Sequence, residues 1–205
     1  MDENRDKAER VIEEVAKAVV GKREILTKIM TAILAGGHIL IEDIPGTGKT
    51  TMALAFSRAM GLEVKRVQFT PDVLPADLTG FTVYRKETGQ FVYQPGAAIC
   101  NLLLADEINR TSPKTQSALL EVMEEQQVTV DGVTHRTGSP FIVIATENPA
   151  GSAGTQLLPE SQLDRFMICV SMGYHTVPDT MDILRRVHAP GRRPQDPVHM
   201  RDAPQ

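Results

Sequence analysis

Residues 38–51 read His-Ile-Leu-Ile-Glu-Asp-Ile-Pro-Gly-Thr-Gly-Lys-Thr-Thr, and no other stretch limits the fold so strongly. Ile39, Leu40 and Ile41 form a short continuous apolar run, the pattern of a strand buried on both faces of a parallel sheet. Pro45, Gly46, Thr47 and Gly48 then turn the chain, and a helix-prone segment follows through Thr51 to Met60. Strand, glycine loop and helix in that order make a phosphate cradle. Glycines let backbone N–H groups approach the anion, and the new helix points its positive end at it. Lys49 is placed to reach the outer phosphates and the Thr50 hydroxyl to hold Mg²⁺. The pattern G-x-x-x-x-G-K-[ST] asks for glycine where Asp43 stands, so that carboxylate is expected to turn away from the phosphates.

The rest of the chain alternates helices and strands. Ala8, Val11, Ile12, Val15, Ala16 and Val19 recur at helical spacing over residues 4–19, and Gly21 breaks the pattern. A second helix is expected from Lys22 to Leu34, with Ile25, Leu26, Ile29, Ile33 and Leu34 on one side and Gly36-Gly37 as its stop. Glu63–Phe69, Asn101–Asp106, Phe141–Thr146 and Phe166–Val170 read as further strands. Residues 71–80 read as loop or broken helix. Two hairpins are expected: residues 81–84 with 90–93 around Gly89, and residues 127–130 with 133–136 around Asp131-Gly132. Thr111 or Ser112 caps a helix that has Pro113 in its first turn and runs to Glu125. Residues 159–164 read as a short helix and 177–188 as a last amphipathic one, before a Pro/Arg-rich stretch at 189–205. Strands separated by helices predict a doubly wound α/β fold, with ligands at the carboxyl ends of the strands.

That expectation directs attention to what leaves each strand. Leu102-Leu103-Leu104-Ala105 ends in Asp106-Glu107. Asp106 is placed to bind the hydration shell of Mg²⁺, and Glu107 to activate a water on a γ-phosphate. Asn148 follows the strand 141–146 and carries both a donor and an acceptor, which suits it to hold that water or to sense the γ-phosphate. Arg165 precedes the last strand; it is either a surface arginine paired with Asp164 or a finger entering a neighbouring subunit's site.

Composition narrows the partners. The 205 residues carry a formal net charge of −4, so no global positive field draws the chain to nucleic acid or anionic lipid. Cys100 and Cys169 each lie in or beside an apolar run and read as reduced core thiols. The histidines are scattered, without zinc-ligand spacing. The first residues are charged and lack an apolar signal region, and no stretch approaches the roughly 18 apolar residues of a membrane span. A cytoplasmic protein is expected.

These motifs together resemble the AAA+ ATPases, and within them the MoxR family. The resemblance runs from about Val11 to Arg186. Its most specific stretches are residues 37–50, Ala105-Asp106-Glu107-Ile108-Asn109-Arg110 with residues 113–121, and residues 158–166. It implies a P-loop core over residues 1–188, with 189–205 as a tail or the start of a lid. It implies a Walker A loop from Pro45 to Thr51, a Walker B pair in Asp106 and Glu107, a first sensor in Asn148 and an arginine finger in Arg165. Val20 and Gly21 fall near the adenine-contacting segment, and Arg110 near a subunit interface. ATP and Mg²⁺ are the implied ligands. The implied assembly is a homo-oligomeric ring, a hexamer, with a von Willebrand factor A domain protein as partner and a chaperone-like role in maturing protein complexes. A DNA-linked motor on the same core and a non-catalytic nucleotide-binding scaffold are the alternatives. Lys22 and Glu147 stand where the family usually has glutamine. Such ATPases continue into a helical lid with a second sensor arginine. The stretch after residue 188 does not match one, so weaker turnover than in a lid-bearing version is expected.

Overall fold

The computed structural model describes residues 2–42, 48–147, 158–173 and 179–181. The chain divides into two compact units, Met1–Gly173 and Tyr174–Gln205. In the second, residues 179–181 are described, and they are helical. Most of the expected helix 177–188 and all of the stretch 189–205 lie outside the described residues.

The first unit opens with α1 (Asp2–Ala18) and α2 (Arg23–Leu34). The apolar spacing is what makes both helices amphipathic: Ile12 and Val15 of α1 and Leu26, Ile29, Met30 and Ile33 of α2 are buried. Leu34, expected on the inner side, is instead exposed. One residue beyond Ile33 is a 100° step around the helix, which carries it off the apolar stripe. The N–H groups of Gly36 and Gly37 bond back to the carbonyls of Ile33 and Ala32 and close the helix.

Next come β1 (Ile39–Glu42), α3 (Lys49–Met60), β2 (Val64–Gln68) and α4 (Pro75–Thr79). A hairpin follows, β3 (Gly80–Arg85) with β4 (Gln90–Pro95), and then β5 (Leu102–Asp106). After a single 3₁₀ turn, α5 (Pro113–Glu125) leads to a second hairpin, β6 (Gln127–Val130) with β7 (Val133–Arg136). The unit ends with β8 (Ile142–Glu147), α6 (Glu160–Leu163) and β9 (Ile168–Val170). The Ser112 hydroxyl accepts from the Thr115 N–H, so the expected cap of α5 is Ser112. Asp131 and Gly132 both have positive φ, as a two-residue hairpin turn of this kind requires. The resemblance implies that the first hairpin interrupts a helix. Here α4 precedes it, and among the described residues turns rather than a helix lead on to β5.

Five strands make one sheet in the order β2-β5-β8-β1-β9, and every pairing is parallel. Alternate residues feed opposite faces. Ile39, Ile41, Leu102, Leu104, Ile142 and Ile144 join α1, α2 and α3 in one core. Leu40, Leu103, Ala105, Val143 and Ala145 join Phe69, Leu119, Val122 and Phe141 in the other. This two-sided burial is why the strands read as continuous apolar runs. Each fully buried Leu or Ile contributes about 1.5–3 kcal/mol, and the central strands carry most of them.

His38 ties β1 to its surroundings. Its Nδ1 accepts from the Val143 N–H at 3.0 Å, which leaves Nε2 as the protonated nitrogen, donating to the Met123 carbonyl at 3.0 Å. Burial lowers its pKa, against the opposing pull of the Met123 carbonyl, and keeps the ring neutral. The two hairpins meet where Tyr93 stacks on His135, with ring centroids 3.7 Å apart. The first hairpin exposes Phe81, Tyr84 and Phe91. Its base admits no side chain at Gly96, where a Cβ would lie 2.2 Å from the Leu78 carbonyl oxygen.

Cys100 is buried as expected, but Cys169 is exposed. It lies on β9, an edge strand with β1 as its sheet neighbour, so an apolar flank in sequence did not mean an interior position.

Candidate functional site

All five strands of the sheet run the same way, so their carboxyl ends share one edge. Glu42, Gln68, Asp106 and Glu147 are the last residues of β1, β2, β5 and β8. A cleft of about 340 Å³ opens at that edge. Gly48, Lys49, Thr50 and Thr51 line it from the start of α3, Asp106 and Glu107 from the end of β5, Thr146 from β8, and Arg66 and Gln68 from β2. Gly48 has φ +86°, a left-handed value that glycine adopts without cost and that admits the chain into α3. The first turn of α3 then presents the N–H groups of a helix start and the positive end of its dipole.

Side-chain contacts hold the acidic pair in place. Asp106 is buried, and its Oδ2 accepts from Arg66 Nε at 2.7 Å. Its Oδ1 accepts from the Thr146 hydroxyl at 3.4 Å. That same hydroxyl oxygen accepts the Glu107 N–H at 2.9 Å, so one side chain on β8 orients both acids. Glu107 has φ +57°, a left-handed backbone that a side chain adopts only at a cost, offset here by the bond to Thr146. Its Oε2 accepts from Arg110 Nη1 at 2.8 Å, across three residues of the 3₁₀ turn.

The cleft thus gathers Gly48, Lys49, Thr50, Thr51, Asp106 and Glu107 from the sequence-predicted set. Asp43, Pro45, Gly46, Thr47 and Asn148 lie outside the described residues. Val20 and Gly21 sit in the turn between α1 and α2 and are not part of the cleft lining. Arg165 is exposed just after α6. Its ion pair is with Glu124 of α5, not with Asp164. Sequence reasoning missed Arg66, Gln68 and Thr146. A hydroxyl directly after the apolar run Ile142–Ala145 was the available signal for Thr146; nothing local marked Arg66. As for Mg²⁺, the Thr50 hydroxyl and the Asp106 carboxylate are hard oxygen donors that both line the cleft, a set that suits this ion with its retained waters.

A second pair of acids stands beside the cleft. Glu42 and Glu147 are register partners on β1 and β8. Glu147 is buried, and its Oε2 has no hydrogen-bond partner among the described residues. Burial first, then hydrogen bonding to Glu42 and its charge, push the Glu147 carboxyl up to about 7. The folded pKa exceeds the unfolded one, so the native state holds an extra proton between about pH 4.5 and 7. The stabilisation is full below pH 4.5 and is lost as pH rises through 7. Glu147→Gln keeps the shape without the charge. At pH 8 it is expected to be more stable than wild type by about 1–2 kcal/mol, allowing for solvent screening at exposed Glu42, or a few degrees in Tm. The difference should vanish near pH 5. Thermal unfolding at both pH values checks this; a Tm difference independent of pH would refute it.

Comparison with known proteins adds a family to this geometry. Residues 38–168 match the profile "ATPase family associated with various cellular activities (AAA)". YeaC of Bacillus subtilis, itself uncharacterized, is 51% identical over 175 residues, covering 85% of this chain and 55% of its own. Chaperone MoxR1 of Mycobacterium tuberculosis is 41% identical over 179 residues, covering 87% of this chain and 48% of its own. A solved structure from Cytophaga hutchinsonii, described as a candidate ATPase, superposes with a TM-score of 0.82 at 42% identity. That superposition covers 91% of this chain and 57% of the other. The chain spans about half the length of the curated relatives it matches. A parallel sheet in this strand order, a cleft at its carboxyl edge and a profile match across both place the chain in the MoxR family of AAA+ ATPases.

Proposed function

We propose that this chain binds ATP with Mg²⁺ and hydrolyses it in a site shared between subunits, and that the protein uses the cycle to remodel other proteins as a chaperone. One observation carries the reading: a single cleft joins the Lys49-Thr50 helix start to the Asp106-Glu107 strand end. The N–H groups of the first turn of α3 bind the phosphates, and Lys49 neutralises the outer ones. Thr50 and Asp106 hold Mg²⁺, which when bound supplies positive charge that offsets the negative charge developing on the transferred group. Glu107 takes a proton from the attacking water, and Thr146 keeps its backbone in place through the 2.9 Å bond. Asn148 orients that water. Arg165 of a neighbouring subunit completes the charge balance.

The name of Chaperone MoxR1 supports the remodelling role. Assembly into a ring, a hexamer, and pairing with a von Willebrand factor A domain protein follow from the same family reading, and so does a cytoplasmic location. Among the described residues no helix is long and apolar enough to cross a membrane.

Light scattering with and without ATP, alongside phosphate release, tests the reading. A larger species and Mg²⁺-dependent phosphate release are expected with ATP. A chain that stays monomeric with ATP and releases no phosphate would overturn it.

A further inference from the structure

The Arg66–Asp106 pair has no place in that reaction scheme. Arg66 lies on β2, two residues before Gln68, so both side chains stand on one face of the strand. Both line the cleft. β2 is an edge strand beside β5, and Arg66 reaches forward along it to the carboxylate that ends β5. The contact is a charge-assisted hydrogen bond, Arg66 Nε to Asp106 Oδ2 at 2.7 Å. Asp106 is nearly buried, with 9% of its side chain accessible, whereas 54% of the Arg66 side chain is exposed.

That asymmetry matters. A buried carboxylate without a cation is costly, so Asp106 needs a positive partner whenever the cleft is empty. The other oxygen, Oδ1, is already engaged by Thr146. With Thr146 on Oδ1, Arg66 and a metal's hydration shell would both draw on Oδ2. The arginine is held at one end and wet along much of its length. It can swing away without breaking a packed core.

Building on the ATP·Mg²⁺ reading, we infer that Arg66 is an internal counter-ion that occupies the metal's place at Asp106 and gives up Oδ2 when Mg²⁺·ATP binds. It is a positioning residue: it keeps Asp106 aimed in the empty site, and it sets how much Mg²⁺ is needed to fill it. The two cations compete for one oxygen. Weakening Arg66 must therefore strengthen the coupling between metal and nucleotide.

The test is binding of a fluorescent ATP analogue to wild type, Arg66→Gln and Arg66→Lys, each with excess Mg²⁺ and with excess EDTA. The quantity read is the ratio of the dissociation constant without metal to that with metal. Arg66→Gln is expected to raise this ratio about tenfold over wild type. Arg66→Lys retains a charge but lacks the planar fork, and should give an intermediate ratio. The Mg²⁺ concentration at half-saturation, at fixed analogue, should fall in the same order. An arginine that only supports the strand would change both dissociation constants equally and leave the ratio unmoved. That outcome in either variant overturns the proposal, and Arg66→Lys carries the test alone if Arg66→Gln does not fold. Wild type that binds no analogue with or without Mg²⁺ overturns the ATP reading, and the counter-ion proposal with it. Wild type that binds normally, with an unchanged ratio in the variants, overturns the counter-ion proposal and leaves the ATP reading standing.

Discussion

Glu107→Gln is expected to lower steady-state ATP hydrolysis by about 10²–10⁴-fold while leaving ATP binding within a fewfold of wild type. The amide has the size of the carboxylate and can still accept from Arg110, but it cannot take a proton from water. The backbone contact to Thr146 does not involve the substituted group, so the left-handed turn at residue 107 survives. Loss of rate without loss of affinity is therefore the signature of a missing base rather than a damaged site. Phosphate release and binding of a fluorescent ATP analogue, measured on the same preparation, separate the two. Hydrolysis within twofold of wild type would move the base to another residue. An equal loss of binding and rate would instead mean that Glu107 acts through the shape of the cleft.

The prediction can be this specific because the residues at stake sit where short-range signals are strong. The apolar runs at 39–41, 102–105 and 141–145 are legible because each strand lies in the middle of the sheet and is covered on both faces. Asp-Gly at 131–132 and Ser-Pro at 112–113 are legible because turn and cap geometry depend on neighbours in sequence. Arg66 was not legible, because its meaning comes from Asp106, forty residues away, and from the placement of β2 beside β5. Thr146 depends likewise on the arrival of β5 at its side. Cys169 and Leu34 mislead for a related reason. An apolar neighbourhood in sequence does not tell an edge strand from a central one, nor the stripe of a helix from the residue just past it. The Glu42–Glu147 pair combines both situations: each residue ends a readable strand, yet only their register makes them face one another.

Register within one chain does not bring Arg165 to the cleft; on the proposed reading it serves a neighbour. Its guanidinium pairs with Glu124 on the same chain's surface and contributes no lining to its own site. Both side chains are about half exposed, so the pair is worth at most about 1 kcal/mol and is readily exchanged for a polyphosphate. If it enters the next subunit's site, Arg165→Ala is expected to lower hydrolysis by about 10³-fold or more in the assembled protein. Substitution alone does not separate a finger from a broken interface, but mixing does. Glu107→Gln subunits keep Arg165, and Arg165→Ala subunits keep Glu107. Where an Arg165→Ala subunit receives its finger from a Glu107→Gln neighbour, the site is whole. Two preparations that are each inactive should therefore regain hydrolysis on mixing, to a fraction set by how often that order occurs around the assembly. Co-assembly without any regain would place Arg165 outside the reaction and leave its partner as Glu124. A regain would mean that the cleft at the edge of this sheet is half of a site, with the other half carried just before β9 of the next chain.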